Sequence, residues 1–262
     1  MDYQRITLDF DGAVAVLRLN HPQVLNAIGQ QMLAELNDAV RAVADPAHGA
    51  RCLLVTGQGP AFCSGANLAD DVPRPPGQVA GDTLRSGYHP LLLALRDLEM
   101  PMVSAVHGAA AGIGMSLAIM ADMVCASRQA TFLQAFARIG LVPDGGATFL
   151  LPRLIGWGRA MELSLMAEKL PADKALEWGL VNRLYDDGDA LMTGAMAIAR
   201  QLAHGPRALA LLRRAYWESA SNSFEQQIDL EARLQRQAAR SEDFKEGVAA
   251  FLGKRAARFQ GR

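Results

Sequence analysis

Apolar and polar residues alternate through residues 6–10, residues 13–19 are a β-rich and mostly apolar run, and Asp11-Gly12 between the two suits a tight hairpin turn. Leu33, Leu36, Val40 and Val43 recur at helical spacing, so residues 31–43 predict an amphipathic helix. Residues 52–56 are a short apolar run of the kind a strand buried on both faces requires, and they enter a glycine-rich loop over 57–65. The cycle then repeats. A helix is predicted over 84–98, a strand over 101–106, a buried helix over 114–121 and a strand over 123–126, followed by a glycine-rich turn at 140–146. Beyond Ala147 the pattern is mostly helical. Pro171 and Pro206 suit first-turn positions, Gly179 suits a helix stop, and Ser223 with Gln226 suits a capping box. Residues 72–78, rich in proline, break the pattern and read as a loop where a substrate lid would sit. The chain is thus α/β, with strand-strand-helix units in front and helices behind.

Composition narrows the function. The 262 residues are 50% apolar and 20% charged, enough for a sizeable core. A net charge of −1 gives no field to attract nucleic acid or an acidic membrane, and no lysine-rich helix is present. Cys52, Cys63 and Cys125 are odd in number and lack paired spacing, which fits a reducing cytoplasmic location rather than a disulfide framework. The first ten residues lack a signal peptide's apolar run, and no apolar stretch reaches the ~20 residues that span a bilayer. Five histidines, none paired at helical metal spacing, support no metal site. Gly112-Ile113-Gly114 begins a dinucleotide fingerprint, but Leu117 stands where its third glycine belongs.

Two glycine-broken segments carry the candidate chemistry: Gly59-Pro60-Ala61-Phe62-Cys63-Ser64-Gly65-Ala66-Asn67-Leu68, and His107-Gly108-Ala109-Ala110-Ala111-Gly112-Ile113-Gly114 ahead of a helix. Small residues admit a ligand close to the backbone, and a helix start carries unpaired N–H groups. Taken alone, the segments also read as two tight turns. Asp144, in Pro143-Asp144-Gly145-Gly146, likewise reads either as a turn or N-cap carboxylate or as a proton shuttle whose pKa an apolar wall of Phe132, Phe136, Leu141 and Val142 would raise.

These segments, with Asn20-His21-Pro22, Leu25-Asn26-Ala27, the 106–126 stretch, Leu141-Val142-Pro143-Asp144-Gly145-Gly146 and Phe251-Leu252-Gly253-Lys254-Arg255, stand in the order found in the crotonase (enoyl-CoA hydratase/isomerase) superfamily, which the chain resembles over nearly its whole length. The resemblance implies a crotonase-type spiral of ββα units over residues 1–200 and a helical C-terminal trimerisation region over 201–262. It implies an oxyanion hole from the N–H groups of Ala66 and Ile113. It also implies a coenzyme A site along Val24, Leu25, Ser64, Ala66, Asn67 and Leu68, with Phe251 and Lys254 reaching in from the helical region of a trimer or dimer of trimers. No cofactor beyond the CoA moiety of the substrate is implied. Asn67 departs from the Asp many relatives carry.

The two glutamates with which the family's hydratases handle water match Ser116 and Phe136 here, and no glutamate occurs between Glu99 and Glu162. A more specific similarity, through residues 135–144, Leu150-Leu151-Pro152-Arg153, Glu177-Trp178-Gly179 and residues 241–248, is to the branch that isomerises ring-1,2-epoxyphenylacetyl-CoA, in which the Asp at position 144 is the acid/base. The expectation is therefore an isomerase using Asp144, with the acyl pocket walled by residues 70–88. Three alternatives stand beside it: an enoyl-CoA hydratase, a non-catalytic acyl-CoA binder, and an aryl-CoA dehalogenase with Asp144 as nucleophile and His89 beside it. Asp122 and His107 are expected to be structural.

Overall fold

The computed structural model describes residues 2–69 and 80–262, so the proline-rich stretch 72–78 lies outside the described residues. The two β-rich runs become β1 (Ile6–Asp11) and β2 (Val14–Leu19), antiparallel across the Asp11-Gly12 turn, with Asp11 opposite Val14. Helix α1 (Gln30–Ala44) follows, then β3 (Cys52–Gly57), α2 (Ala80–Thr83), a π-helical turn (Leu84–Tyr88) and α3 (His89–Asp97). The one helix expected over 84–98 is therefore two elements. His89 N–H reaches back to Leu84 O, a wider closure than an α-turn makes.

From β4 (Met102–Val106) onward the strands come in pairs. Strand β4 is followed by β5 (Ala109–Ala111) and α4 (Ile113–Ile119), and β6 (Met123–Ser127) by β7 (Thr131–Leu133). Helices α5 (Ala147–Ile155) and α6 (Trp157–Met166) lead to the two-residue β8 (Leu170–Pro171), α7 (Ala172–Trp178) and β9 (Arg183–Tyr185). One member of each pair joins a six-stranded sheet in the order β1-β2-β3-β4-β6-β9, parallel from β2 on, and the other joins a small sheet, β5-β7-β8. This is the expected spiral of strand-strand-helix turns. Pro171 stands just ahead of α7 as its N-cap, outside the first turn, because it completes β8.

The large sheet is buried on both faces, which is why its strands read as continuous apolar runs. Val14, Val16, Leu54, Val103 and Ala105 face α8 (Gly188–Ala203), whose Ala195, Ala199 and Ala203 recur every fourth residue and let the helix lie close. Leu17, Leu53, Val55 and Met102 face the main core under α1 and α3. Three helices end the chain: α9 (Ala208–Ser219), α10 (Phe224–Ala239), which opens on the Ser223–Gln226 capping box, and α11 (Glu242–Leu252). Pro206 precedes α9 by two residues rather than sitting inside it.

One ion pair ties α9 to the spiral. Arg213 Nε donates to both Asp122 oxygens at 2.9 and 2.8 Å, and the remaining guanidinium N–H groups reach the carbonyls of Leu95, Arg96 and Leu98. Asp122 also accepts the Met102 N–H at 2.7 Å, which confirms its structural role.

Candidate active site

The two glycine-broken segments run side by side. Cys63 donates its N–H to Ala109 O and accepts the Ala111 N–H, both at 2.9 Å, so Cys63 pairs with Ala110 in parallel register. Continuing that register sets Gly65 beside Gly112 and Ala66 beside Ile113. A β-carbon at Gly65 would come within 3.1 Å of Ala111 O, and one at Gly112 within 3.9 Å of Gly65 Cα. Both glycines also have positive φ, 112° and 52°, where other residues are strained, so glycine is required by close approach and φ at Gly65 and by φ alone at Gly112.

What leaves an N–H unused at Ala66 is a second one-residue bridge. Ile28 donates to Gly65 O at 2.8 Å and accepts from Asn67 N–H at 3.0 Å, so it occupies the groups flanking Ala66 and turns Ala66's own polar atoms the other way. Ile113 opens α4, where a helix has no internal acceptor for its N–H. Neither the Ala66 nor the Ile113 N–H donates to another backbone group among the described residues. Both residues line a cavity of about 330 Å³.

Asp144 lines the same cavity and is the one acid among the described residues that does. Its main chain is anchored: Ser116, fully buried on α4, donates its hydroxyl to Asp144 O at 2.9 Å, and Gly145 packs so tightly on Ile113 and Ser116 that a β-carbon would fall 2.4 and 2.6 Å from them. The N-cap of α5 is Gly146, and no side chain caps that helix, so the N-cap reading of Asp144 does not hold, although its main chain opens a turn in which Asp144 O accepts the Ala147 N–H at 3.1 Å. Instead Oδ1 is buried with no hydrogen-bond partner among the described residues. Burial pushes the Asp144 pKa up to about 6. A group in that range holds and releases a proton near neutrality.

The apolar wall differs in part from expectation. Phe136 and Leu141 line the cavity, whereas Phe132 is fully buried in the core and Val142 is 80% exposed. Of the two hydratase positions, Ser116 spends its hydroxyl on the Asp144 loop and Phe136 supplies a ring. Three residues shape the site that sequence reasoning did not single out, although Tyr88, with Thr83 and Leu84, falls within the 70–88 stretch expected to wall the pocket. Tyr88 and Arg138 line it. Asn26 is buried in left-handed backbone, accepts the His21 N–H and donates to the carbonyls of Gln58, Ala61 and Phe62, which holds the loop leading to Ala66. The Leu25-Asn26-Ala27 motif was the available signal.

Ser64, Asn67 and Leu68 line the cavity mouth. Val24 and Leu25 do not, but they border it: Ser64 donates its N–H to Leu25 O at 2.9 Å and its hydroxyl to Val24 O at 3.2 Å. Phe251, 83% exposed at the end of α11, and Lys254 are not part of this lining. His107 contacts Gly59 O through Nε2 at 2.9 Å, as a structural residue would. His89 is exposed and outside the lining. Among the described residues no cluster of three His, Cys, Asp or Glu side chains could hold a metal ion, and no helix is long and apolar enough to cross a membrane.

The raised pKa carries a signed prediction. A carboxyl that binds its proton more tightly folded than unfolded loses stability as pH rises from the ordinary value of 3.8 through about 6. Asp144→Asn is therefore expected to melt about 2–4 °C higher than wild type at pH 7.5, if the gain is ~1 kcal/mol, and to show no gain below pH 4. Calorimetry across that range checks it. A flat difference would mean the carboxylate is not desolvated.

The sequence pattern of the enoyl-CoA hydratase/isomerase family matches residues 9–262. A Rhodobacter capsulatus protein named as a probable enoyl-CoA hydratase is 42% identical over the full length of both chains. The 1,2-epoxyphenylacetyl-CoA isomerase of Escherichia coli is 41% identical over 95% of each. Among solved structures, an enoyl-CoA hydratase from Polaromonas sp. JS666 superposes with a TM-score of 0.87 at 32% identity, covering 97% of this chain and 99% of that one.

Proposed function

The chain belongs to the enoyl-CoA hydratase/isomerase family, and from that premise we propose that it is an acyl-CoA isomerase working through an enolate. The observation that carries this reading is that Asp144 is the one cavity acid among the described residues, where two-glutamate hydration would need a second carboxylate, and Phe136 occupies that wall.

In this mechanism the thioester oxygen accepts the N–H groups of Ala66 and Ile113. Ionised Asp144 removes a proton from the carbon next to the carbonyl, and the C–H electron pair becomes the enolate, whose charge the two N–H dipoles hold. The same carboxyl returns the proton two carbons further along, so a 3-enoyl thioester becomes a 2-enoyl thioester with no net gain or loss of atoms. Ring-1,2-epoxyphenylacetyl-CoA is the second candidate substrate, supported by the E. coli relative and by the aromatic wall of Phe136 and Tyr88. The dehalogenase alternative loses support because His89 is exposed and is not among the described residues that line the cavity.

The coenzyme A chain is assigned to the groove along Val24, Leu25, Ser64, Asn67 and Leu68. Phe251 and Lys254 serve a neighbouring copy's site in a trimer. The exposed stripe Phe244, Val248, Phe251 and Leu252 on α11 supports that assembly, as does exposed Leu212 and Tyr216 on α9. The cytosolic assignment rests on the three unpaired, buried cysteines.

A turnover screen tests the function. Straight-chain 3-enoyl-CoA or epoxyphenylacetyl-CoA is expected to be isomerised, with hydration of 2-enoyl-CoA at least about a hundred-fold slower. Efficient hydration with no isomerisation would overturn the reading.

A further inference from the structure

Tyr88 has no part in the chemistry above, yet it touches the apparatus that exposes the Ala66 N–H. It ends the π-helical turn Leu84–Tyr88, is 6% exposed and lines the cavity. Its hydroxyl donates to Ile28 O at 3.2 Å. The same carbonyl receives the Asn67 N–H, one of the two bonds that flank Ala66 and turn its N–H outward.

We propose that Tyr88 is a positioning residue: its hydroxyl holds the Ile28 carbonyl and through it aims the Ala66 N–H at the thioester oxygen. The role rests on the assignment of Ala66 and Ile113 as the oxyanion donors. The physical reason is the size of the bridge. Ile28 pairs with Ala66 as a single isolated bridge, with no ladder on either side to resist rotation of its peptide, and the next residue is Gly29. Two donors on one carbonyl fix that peptide where one would let it swing.

Tyr88 is itself well held. Gly87 O accepts Asn37 Nδ2 from α1 at 3.2 Å, and Gly87 lies so close to Leu33 that a β-carbon would meet its side chain at 2.5 Å. The π-turn supplies the register. A turn closed five residues apart rather than four rotates the next side chain relative to α3, and such turns recur at functional sites. A phenyl ring would fill the same wall without the bond. Donors aimed before the reaction cost no reorganisation during it, so a small misdirection acts on the transition state more than on ground-state binding.

Tyr88→Phe is the test. Its kcat is expected to fall about ten-fold, the loss of one hydrogen bond, with KM and melting temperature near wild type. The infrared stretch of the carbonyl-labelled thioester of bound phenylacetyl-CoA gives a readout independent of turnover. Wild type is expected to lower it relative to the free ligand, and Tyr88→Phe to lose part of that shift at unchanged affinity. Should Tyr88→Phe fold poorly, 3-fluorotyrosine at position 88 keeps the ring and strengthens the donor, and it should deepen the shift. An unchanged stretch in either variant overturns the proposal. No shift in wild type overturns it together with the Ala66–Ile113 assignment. A shift that responds to Tyr88 in a protein that isomerises nothing upholds the positioning role and sinks the isomerase reading alone.

Discussion

Asp144→Asn is expected to lower turnover about 10²- to 10⁴-fold while KM stays near wild type, because one positioned acid/base contributes that much and no other acid among the described residues lines the cavity. The variant isolates chemistry from structure. The Ser116 hydroxyl bonds the main-chain oxygen of residue 144, and Gly145 packs through its backbone, so the loop keeps its anchors when the carboxylate becomes an amide. An amide matches the shape and cannot take up a proton near neutrality. Single-turnover kinetics on the best isomerisation substrate measure the loss. If turnover stays within about three-fold of wild type, proton transfer runs through another group and the mechanism fails. The wild-type rate should rise with pH through a midpoint near 6 as Asp144 ionises, and that limb should vanish in the variant.

How much of this could be read beforehand depended on range and length. The β1–β2 hairpin, α1 and the capping box of α10 follow from local pattern, and the structure repeats them to within a residue or two. The small sheet was illegible, because strands of three, three and two residues at Ala109–Ala111, Thr131–Leu133 and Leu170–Pro171 are too short to show a period. Ala66 and Ile113 could be named from ordered motifs, but nothing local says that Cys63 pairs with Ala110 and so aligns them. Asp144 looked like a cap because Asp often is one. Only the placement of Gly146 as the cap and the unbonded Oδ1 separate the two readings. Tyr88 fell within the expected pocket wall, but its bond to Ile28 was hidden for a related reason. A π-turn and an α-helix share the same composition, and the displacement of one side chain leaves no trace in the pattern.

The other large effect concerns stability, and it follows from the same low-dielectric physics that raises the Asp144 pKa. Arg213→Ala is expected to destabilise the protein by about 2–4 kcal/mol, since it takes a buried guanidinium away from the partly exposed Asp122 and leaves the buried carbonyls of Leu95 and Leu98 without their donor. Arg213 is 4% exposed, so water does not replace what it provided. Burial raises the Asp122 pKa even with the guanidinium beside it, which pulls the other way. Removing Arg213 takes away that opposing pull and raises the pKa further. The folded variant then holds its proton more tightly than the unfolded chain, so its deficit should be largest at pH 7.5 and shrink toward pH 5. Urea unfolding at the two pH values, at fixed protein concentration, measures both the deficit and its slope. Arg213→Met with Asp122→Asn removes both charges while keeping an aliphatic stem, and it should recover most of the loss. Recovery without pH dependence would point to packing of the side chain against Trp217 rather than to the stranded carboxylate.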